Sequence, residues 1–124
     1  MNAANRVAFR LRVRPELLEE YRAVHSPVRR EMLETIAASG RRNYSLFLDE
    51  ADGTLFGYYE VDDDAAAQAS LAQSPVASAW EAEMSRFFLP VDGAAPDDSG
   101  PGRADQTARR LTEVFHLADQ LEKA

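Results

Sequence analysis

At 124 residues, 45% hydrophobic and 28% charged, the chain has the makeup of an ordinary globular domain, long enough for one core without covalent staples. It has no cysteine, which excludes disulfides, thiolate catalysis and cysteine-bound metals. A net charge of −7 argues against a partner held through its phosphate backbone, so no nucleic acid is expected.

Arginines break up the apolar residues of the first ten positions, which predicts no signal peptide. No apolar run approaches the ~20 residues that span a bilayer, so a cytoplasmic location without a membrane partner is expected. Residues 6–13 alternate strictly, with Val7, Phe9, Leu11 and Val13 on one face, and predict a half-buried strand. Pro15 then opens a helical segment that runs to Ser39 and Gly40, a helix-terminating glycine. Pro27 interrupts it, because proline deletes a helical hydrogen bond and disfavours helical geometry at Ser26; a kink or a fresh start beside His25 follows.

Residues 43–48 and 55–61 read as aromatic-rich strands, joined through Asp52-Gly53 into an antiparallel hairpin. Asp62, Asp63 and Asp64 offer caps for a short helix over 65–72, and Ser74-Pro75 opens another that aligns Val76, Trp80, Met84 and Phe87. Residues 90–109, rich in Pro, Gly, Asp and Ser, are expected to be a long irregular loop. A last strand is expected over Leu111–Leu117, and a solvated tail over 118–124.

The resulting βαββαβ order predicts one α+β domain of ferredoxin-like fold over residues 1–124. Both hairpin strands carry apolar or aromatic groups on their two faces: Tyr44, Leu46 and Leu48 oppose Phe47, while Leu55, Tyr59 and Val61 oppose Phe56 and Tyr58. Helices in this arrangement cover one face of the sheet. A second copy packed sheet against sheet would cover the other, so a homodimer is expected.

The chemistry is narrowed by what is missing. There are two histidines, His25 and His116, without metal-binding spacing, and the aspartate run lacks the pattern of a calcium loop; capping and solvation account for it. The six glycines are scattered, so no phosphate cradle is expected, and there is no nucleophile elbow. No metal and no cofactor are predicted. What remains is an imidazole with tyrosines and an indole. Tyr21 and His25 stand four residues apart and share a helical face with Val24 and Val28. A histidine on an apolar face is commonly a satisfied core residue, and Trp80 on its stripe and Tyr44 at a strand start have equally plain structural explanations. Together they also suit a small carbohydrate site: aromatic faces cover the C–H side of a sugar ring, hydroxyls meet its hydroxyls, and histidine moves protons near neutral pH.

Five stretches in order resemble the L-rhamnose mutarotase family: Glu20-Tyr21 with His25 and Pro27; Arg42-Asn43-Tyr44-Ser45-Leu46-Phe47-Leu48; Leu55-Phe56-Gly57-Tyr58-Tyr59-Glu60; Trp80 followed by Met84; and Glu113-Val114-Phe115-His116-Leu117. The resemblance implies a dimeric ferredoxin-like α/β barrel that interconverts the α and β anomers of a pyranose without a cofactor. It assigns His25 as the proton donor, with Tyr21, Tyr44 and Trp80 contacting the sugar. Two departures bear on which sugar is bound. Arg29-Arg30-Glu31 stands where the family commonly reads Trp-Pro-Glu. Glu81 stands where some members carry a second tryptophan, and is either a hydrogen-bonding replacement that binds substrate or a solvent-facing residue. Two other readings keep the fold: a cofactorless monooxygenase or isomerase acting on a flat aromatic ligand, and a non-catalytic module that binds a small molecule.

Overall fold

The computed structural model describes residues 5–89 and 108–123. Strand β1 (Asn5–Val13) follows its alternation, burying Val7, Leu11 and Val13. A 3₁₀ turn over Pro15–Leu17 leads into α1 (Leu18–Val24), and a new helix, α2, starts at Arg30 and runs to Ser39. Of the two outcomes expected at Pro27, the chain takes the fresh start; the Ser26–Pro27 peptide is cis. Gly40 ends α2 in the left-handed conformation, φ 103°, as its position predicts.

Strands β2 (Arg42–Leu48) and β3 (Thr54–Val61) form the expected antiparallel hairpin, with Phe47 opposite Phe56 and Leu48 opposite Leu55. Gly53 turns the chain at φ 81°, and any side chain there would run into the Val13 carbonyl. Helix α3 (Asp64–Gln73) is capped by Asp63, whose Oδ1 accepts from Ala66 N at 3.0 Å. Helix α4 (Pro75–Met84) starts at the predicted Ser74 cap and buries Trp80 and Met84; Phe87 continues their stripe on a 3₁₀ turn over Ser85–Phe87.

Two short strands were not legible in the sequence. Phe88–Leu89 (β4) pairs with Arg12 and Val13, and Arg109–Arg110 (β5) pairs with Phe9 and Arg10, both antiparallel to β1. The sheet order is β2-β3-β1-β4, with β5 also beside β1. This is the ferredoxin-like order in a curled antiparallel half-barrel. The strand expected over Leu111–Leu117 does not form. Leu111 N–H donates to Ala8 O at 2.9 Å, residues 112–116 carry no ladder, and Leu117–Lys123 form a helix, α5, in place of a tail. Beyond Leu111 the segment is tied to β1 by side chains in place of a ladder, with Arg6 pairing to Glu113 at 2.7 Å. Most of the loop expected over 90–109 lies outside the described residues.

The core lies between the inner sheet face and the helices, where Leu11, Val13, Tyr21, Met32, Leu55, Trp80, Met84, Phe87 and Phe88 form one cluster. Gly57 on β3 sets how closely Phe9 lies over the sheet, because a methyl group there would overlap the Phe9 ring. Gly57→Ala is therefore expected to destabilise the fold by about 1–3 kcal/mol through overpacking. Urea unfolding would read this as a lower midpoint at unchanged m-value; an unchanged midpoint would mean that the Phe9 ring swings away freely.

Candidate active site

Helices α2, α3 and α4 stand off the inner sheet face around a cleft of about 1280 Å³. The break at Pro27 makes His25 the residue that ends α1 rather than one buried inside a continuous helix. Its Nδ1 lies 2.8 Å from the Tyr21 carbonyl oxygen. A carbonyl only accepts, so Nδ1 carries the proton and Nε2 is left to exchange protons with a ligand. Burial lowers the His25 pKa below the ordinary 6.5, and the hydrogen bond to Tyr21 O offsets part of that shift.

The rings around His25 are ordered by contact. Tyr21, buried at the base, lies 4.2 Å from the imidazole centroid at an interplanar angle of 32°. Trp80 meets the imidazole edge-on at 5.6 Å. Tyr21 is wedged edge-on against Phe87 and Phe88, at 5.4 and 5.8 Å, which holds the helix carrying His25 against the core. The Arg29 guanidinium lies 5.2 Å over the Trp80 ring and pairs with Glu83 at 3.1 Å. The first departure from the family pattern thus braces the indole through a cation–π contact.

Across the cleft, Tyr44 on β2 stacks on Tyr59 of β3 at 5.2 Å and meets Phe9 edge-on at 6.3 Å. Although 37% of Tyr44 is exposed, burial of its hydroxyl pushes its pKa up to about 12. Burial and the Asp64 hydrogen bond raise Tyr59 to about 12, and burial also raises Tyr21. All three hydroxyls therefore stay protonated near neutral pH. Glu81 also lines the cleft, with its Oε2 buried. It is not the solvent-facing residue that the sequence also allowed.

All five residues singled out by sequence, Tyr21, His25, Tyr44, Trp80 and Glu81, line this one cleft. His116 does not. Sequence reasoning missed a polar cluster on the far wall. Asp64 accepts from the Tyr59 hydroxyl at 2.9 Å, from Arg110 at 2.9 Å and from Arg41 at 3.1 Å; Arg41 also reaches Gln68 at 3.0 Å. Asp64 sits in a run of three aspartates in which only Asp63 caps the helix through its side chain, and nothing in such a run marks the member that turns inward. Among the described residues, no group of three or more His, Asp or Glu side chains could hold a metal ion. No helix among them is long and apolar enough to cross a membrane.

The family model described as L-rhamnose mutarotase matches residues 6–117. The chain belongs to the L-rhamnose mutarotase family. It is 35% identical to an L-rhamnose mutarotase from Listeria monocytogenes over 113 residues, covering 91% of this chain and 98% of that one. The crystal structure of an L-rhamnose mutarotase from Formosa agariphila superposes with a TM-score of 0.67 at 24% identity, over 90% of this chain and 97% of that one. A polyketide cyclase from Streptomyces glaucescens, tetracenomycin F2 cyclase, shares the fold alone, with a TM-score of 0.56 at 20% identity, over 91% of this chain and 95% of that one. As a member of the mutarotase family the protein is an isomerase of the racemase/epimerase type, and the activity is the interconversion of L-rhamnose anomers.

Proposed function

We propose that this mutarotase opens and recloses the pyranose of L-rhamnose, or a close sugar, in the cleft around His25. The observation that carries the reading is the meeting of His25, Tyr21 and Trp80 on one wall with Tyr44 on the other. His25 donates a proton from Nε2 to the ring oxygen as the C1–O bond breaks, and takes it back when the aldehyde recloses on its other face. An imidazole can both give and regain a proton, and burial lowers its pKa here while the hydrogen bond to the Tyr21 carbonyl opposes that shift. Trp80 and Tyr44 offer faces to the sugar's C–H side, and the protonated hydroxyls of Tyr21 and Tyr44 donate to its oxygens. Hemiacetal opening requires only proton transfer, so the proposal includes no cofactor.

Saturation transfer between the two anomeric proton resonances of L-rhamnose tests this directly. Added protein should produce transfer that is absent from sugar alone. A sample that leaves the exchange of L-rhamnose and of L-fucose, L-lyxose and D-mannose at the spontaneous rate would overturn the reading.

The proposal places the enzyme in the cytoplasm as a single-domain homodimer. Phe47 is 65% exposed, and with Phe56 and Tyr58 it lies on the sheet face opposite the helices. Val114 is 89% exposed, and Phe115, Leu117 and Leu121 are exposed with it, on a segment held to β1 by Arg6 pairs to Glu113 at 2.7 Å and Asp119 at 2.6 Å. An isologous partner would cover both apolar regions. Sedimentation equilibrium is expected to give twice the chain mass, and Phe47→Asp to shift the protein toward the monomer. A wild-type protein of single-chain mass would remove the dimer from the proposal.

A further inference from the structure

Opening a hemiacetal moves two protons, one off the anomeric oxygen O1 and one onto the ring oxygen O5. His25 serves one of them. The tyrosines of the cleft are unsuited to the other: burial holds the hydroxyls of Tyr21 and Tyr44 protonated, so near neutral pH they donate hydrogen bonds and do not accept the anomeric proton. Glu81 is placed to take it. It follows Trp80 on α4 and is one of the residues that line the same cleft, with one carboxylate oxygen, Oε2, withdrawn from solvent. Its charge helps to raise the pKa of the Tyr21 hydroxyl, on the helix that ends in His25, and of the Tyr44 hydroxyl, on β2.

We propose that Glu81 is the second catalytic acid/base group of this enzyme, acting at the anomeric hydroxyl while His25 acts at the ring oxygen. This rests on the anomer-exchange reading above. The Glu81 carboxylate takes the O1 proton, the O1 electron pair forms the carbonyl, the C1–O5 bond breaks, and O5 takes the proton from His25 Nε2. The aldehyde turns about C1–C2. On reclosure His25 removes the O5 proton as O5 attacks C1, and Glu81 returns its proton to O1. Both groups finish as they began, and no co-reactant is consumed. The pair thus works with one mobile proton. Among the described residues, the other titratable and charged groups that line the cleft are Tyr21, Tyr44, Tyr59, Asp64, Arg41, Arg42 and Arg110.

The test compares anomer exchange by wild type, Glu81→Gln and Glu81→Asp from about pH 4 to 9, with L-rhamnose affinity measured calorimetrically. A two-group mechanism predicts a bell-shaped profile for the wild type, whose two limbs belong to the pair. Glutamine keeps the shape of the side chain and exchanges no proton. It should lower kcat by about 10²- to 10³-fold with KM changed only a few-fold, and should abolish the limb on which the rate falls with falling pH. Aspartate should restore that limb and part of the rate. A Glu81→Gln enzyme that keeps wild-type kcat, or keeps both limbs at reduced rate, overturns the assignment, and so does loss of rate that aspartate does not rescue. Wild-type protein without anomer exchange overturns the mutarotase reading itself, a result the variants do not mimic.

Discussion

His25→Ala is expected to slow enzyme-driven anomer exchange by about 10²- to 10⁴-fold while leaving L-rhamnose affinity within a few-fold of wild type. Affinity survives because the aromatic surfaces are held without the imidazole: Tyr21 by Phe87 and Phe88, Trp80 by the core and Arg29, Tyr44 by Tyr59 and Phe9. Saturation transfer reads the rate and calorimetry the affinity. Equal rates for variant and wild type would keep the activity and remove His25 from it. Stability provides an independent check on its surroundings. Burial holds the folded-state pKa of His25 below 6.5, so between those two values the unfolded chain binds the extra proton. This contribution to stability is fully present above pH 6.5 and is lost as pH falls through the folded value. His25→Ala should lack that loss, so the stability gap between variant and wild type should change as pH is lowered below about 6.5.

How much of this could be read from sequence depended on the range over which each signal acts. Alternation over 6–13, the Asp52-Gly53 turn and the Ser74-Pro75 start are local, and β1, the hairpin and α4 form where those residues place them. Pro27 marked the break beside His25, although sequence left a kink and a restart equally open. Strand β4 was not legible because two residues, Phe88 and Leu89, carry no period. The apolar and aromatic residues of 111–117 misled for the opposite reason: they record that these side chains need cover, and they do not say whether cover comes as a ladder within one chain. The five cleft residues were singled out as chemical types and through the family resemblance. That Glu81 turns into the cleft was not legible, because one step along a helix from a buried tryptophan is compatible with either facing. The Asp64 cluster joins Arg41, Tyr59, Asp64 and Arg110 across three strands or strand edges and a helix start, and no spacing announces such a meeting.

That cluster has the largest expected effect on stability. Asp64 is the common acceptor for Arg41, Arg110 and the Tyr59 hydroxyl, with Asp64 and Arg41 side chains only 20% and 12% exposed. Asp64→Ala leaves the Tyr59 hydroxyl without this acceptor and Arg41 with Gln68 and the Tyr59 ring but no carboxylate there, and it frees the hold of the helix on β5 through Arg110. Orphaning a paired, largely buried charge costs about 3–5 kcal/mol, and the residual exposure here brings the expectation to about 2–4 kcal/mol. The acid dependence has a definite sign. Burial alone would raise the Asp64 pKa, but hydrogen bonds from Arg110 and Tyr59 and the pairing with Arg41 outweigh it and hold the carboxyl below the ordinary 3.8. Its contribution is therefore complete above about pH 3.8 and disappears as pH falls through the lower folded value. Wild-type stability should decline on acidification first below 6.5 from His25 and again below about 4.5, where Glu60, Glu113, Asp52 and Asp64 are all held low by their hydrogen bonds, and Asp64→Ala should show a smaller second decline. Because Tyr59 is the surface on which Tyr44 stacks, the same variant should weaken L-rhamnose binding without changing the pH profile of turnover. Urea unfolding at several pH values measures the first effect and calorimetry the second. An Asp64→Ala protein as stable as wild type at pH 7 would show that the arginines find water as readily as they find this carboxylate.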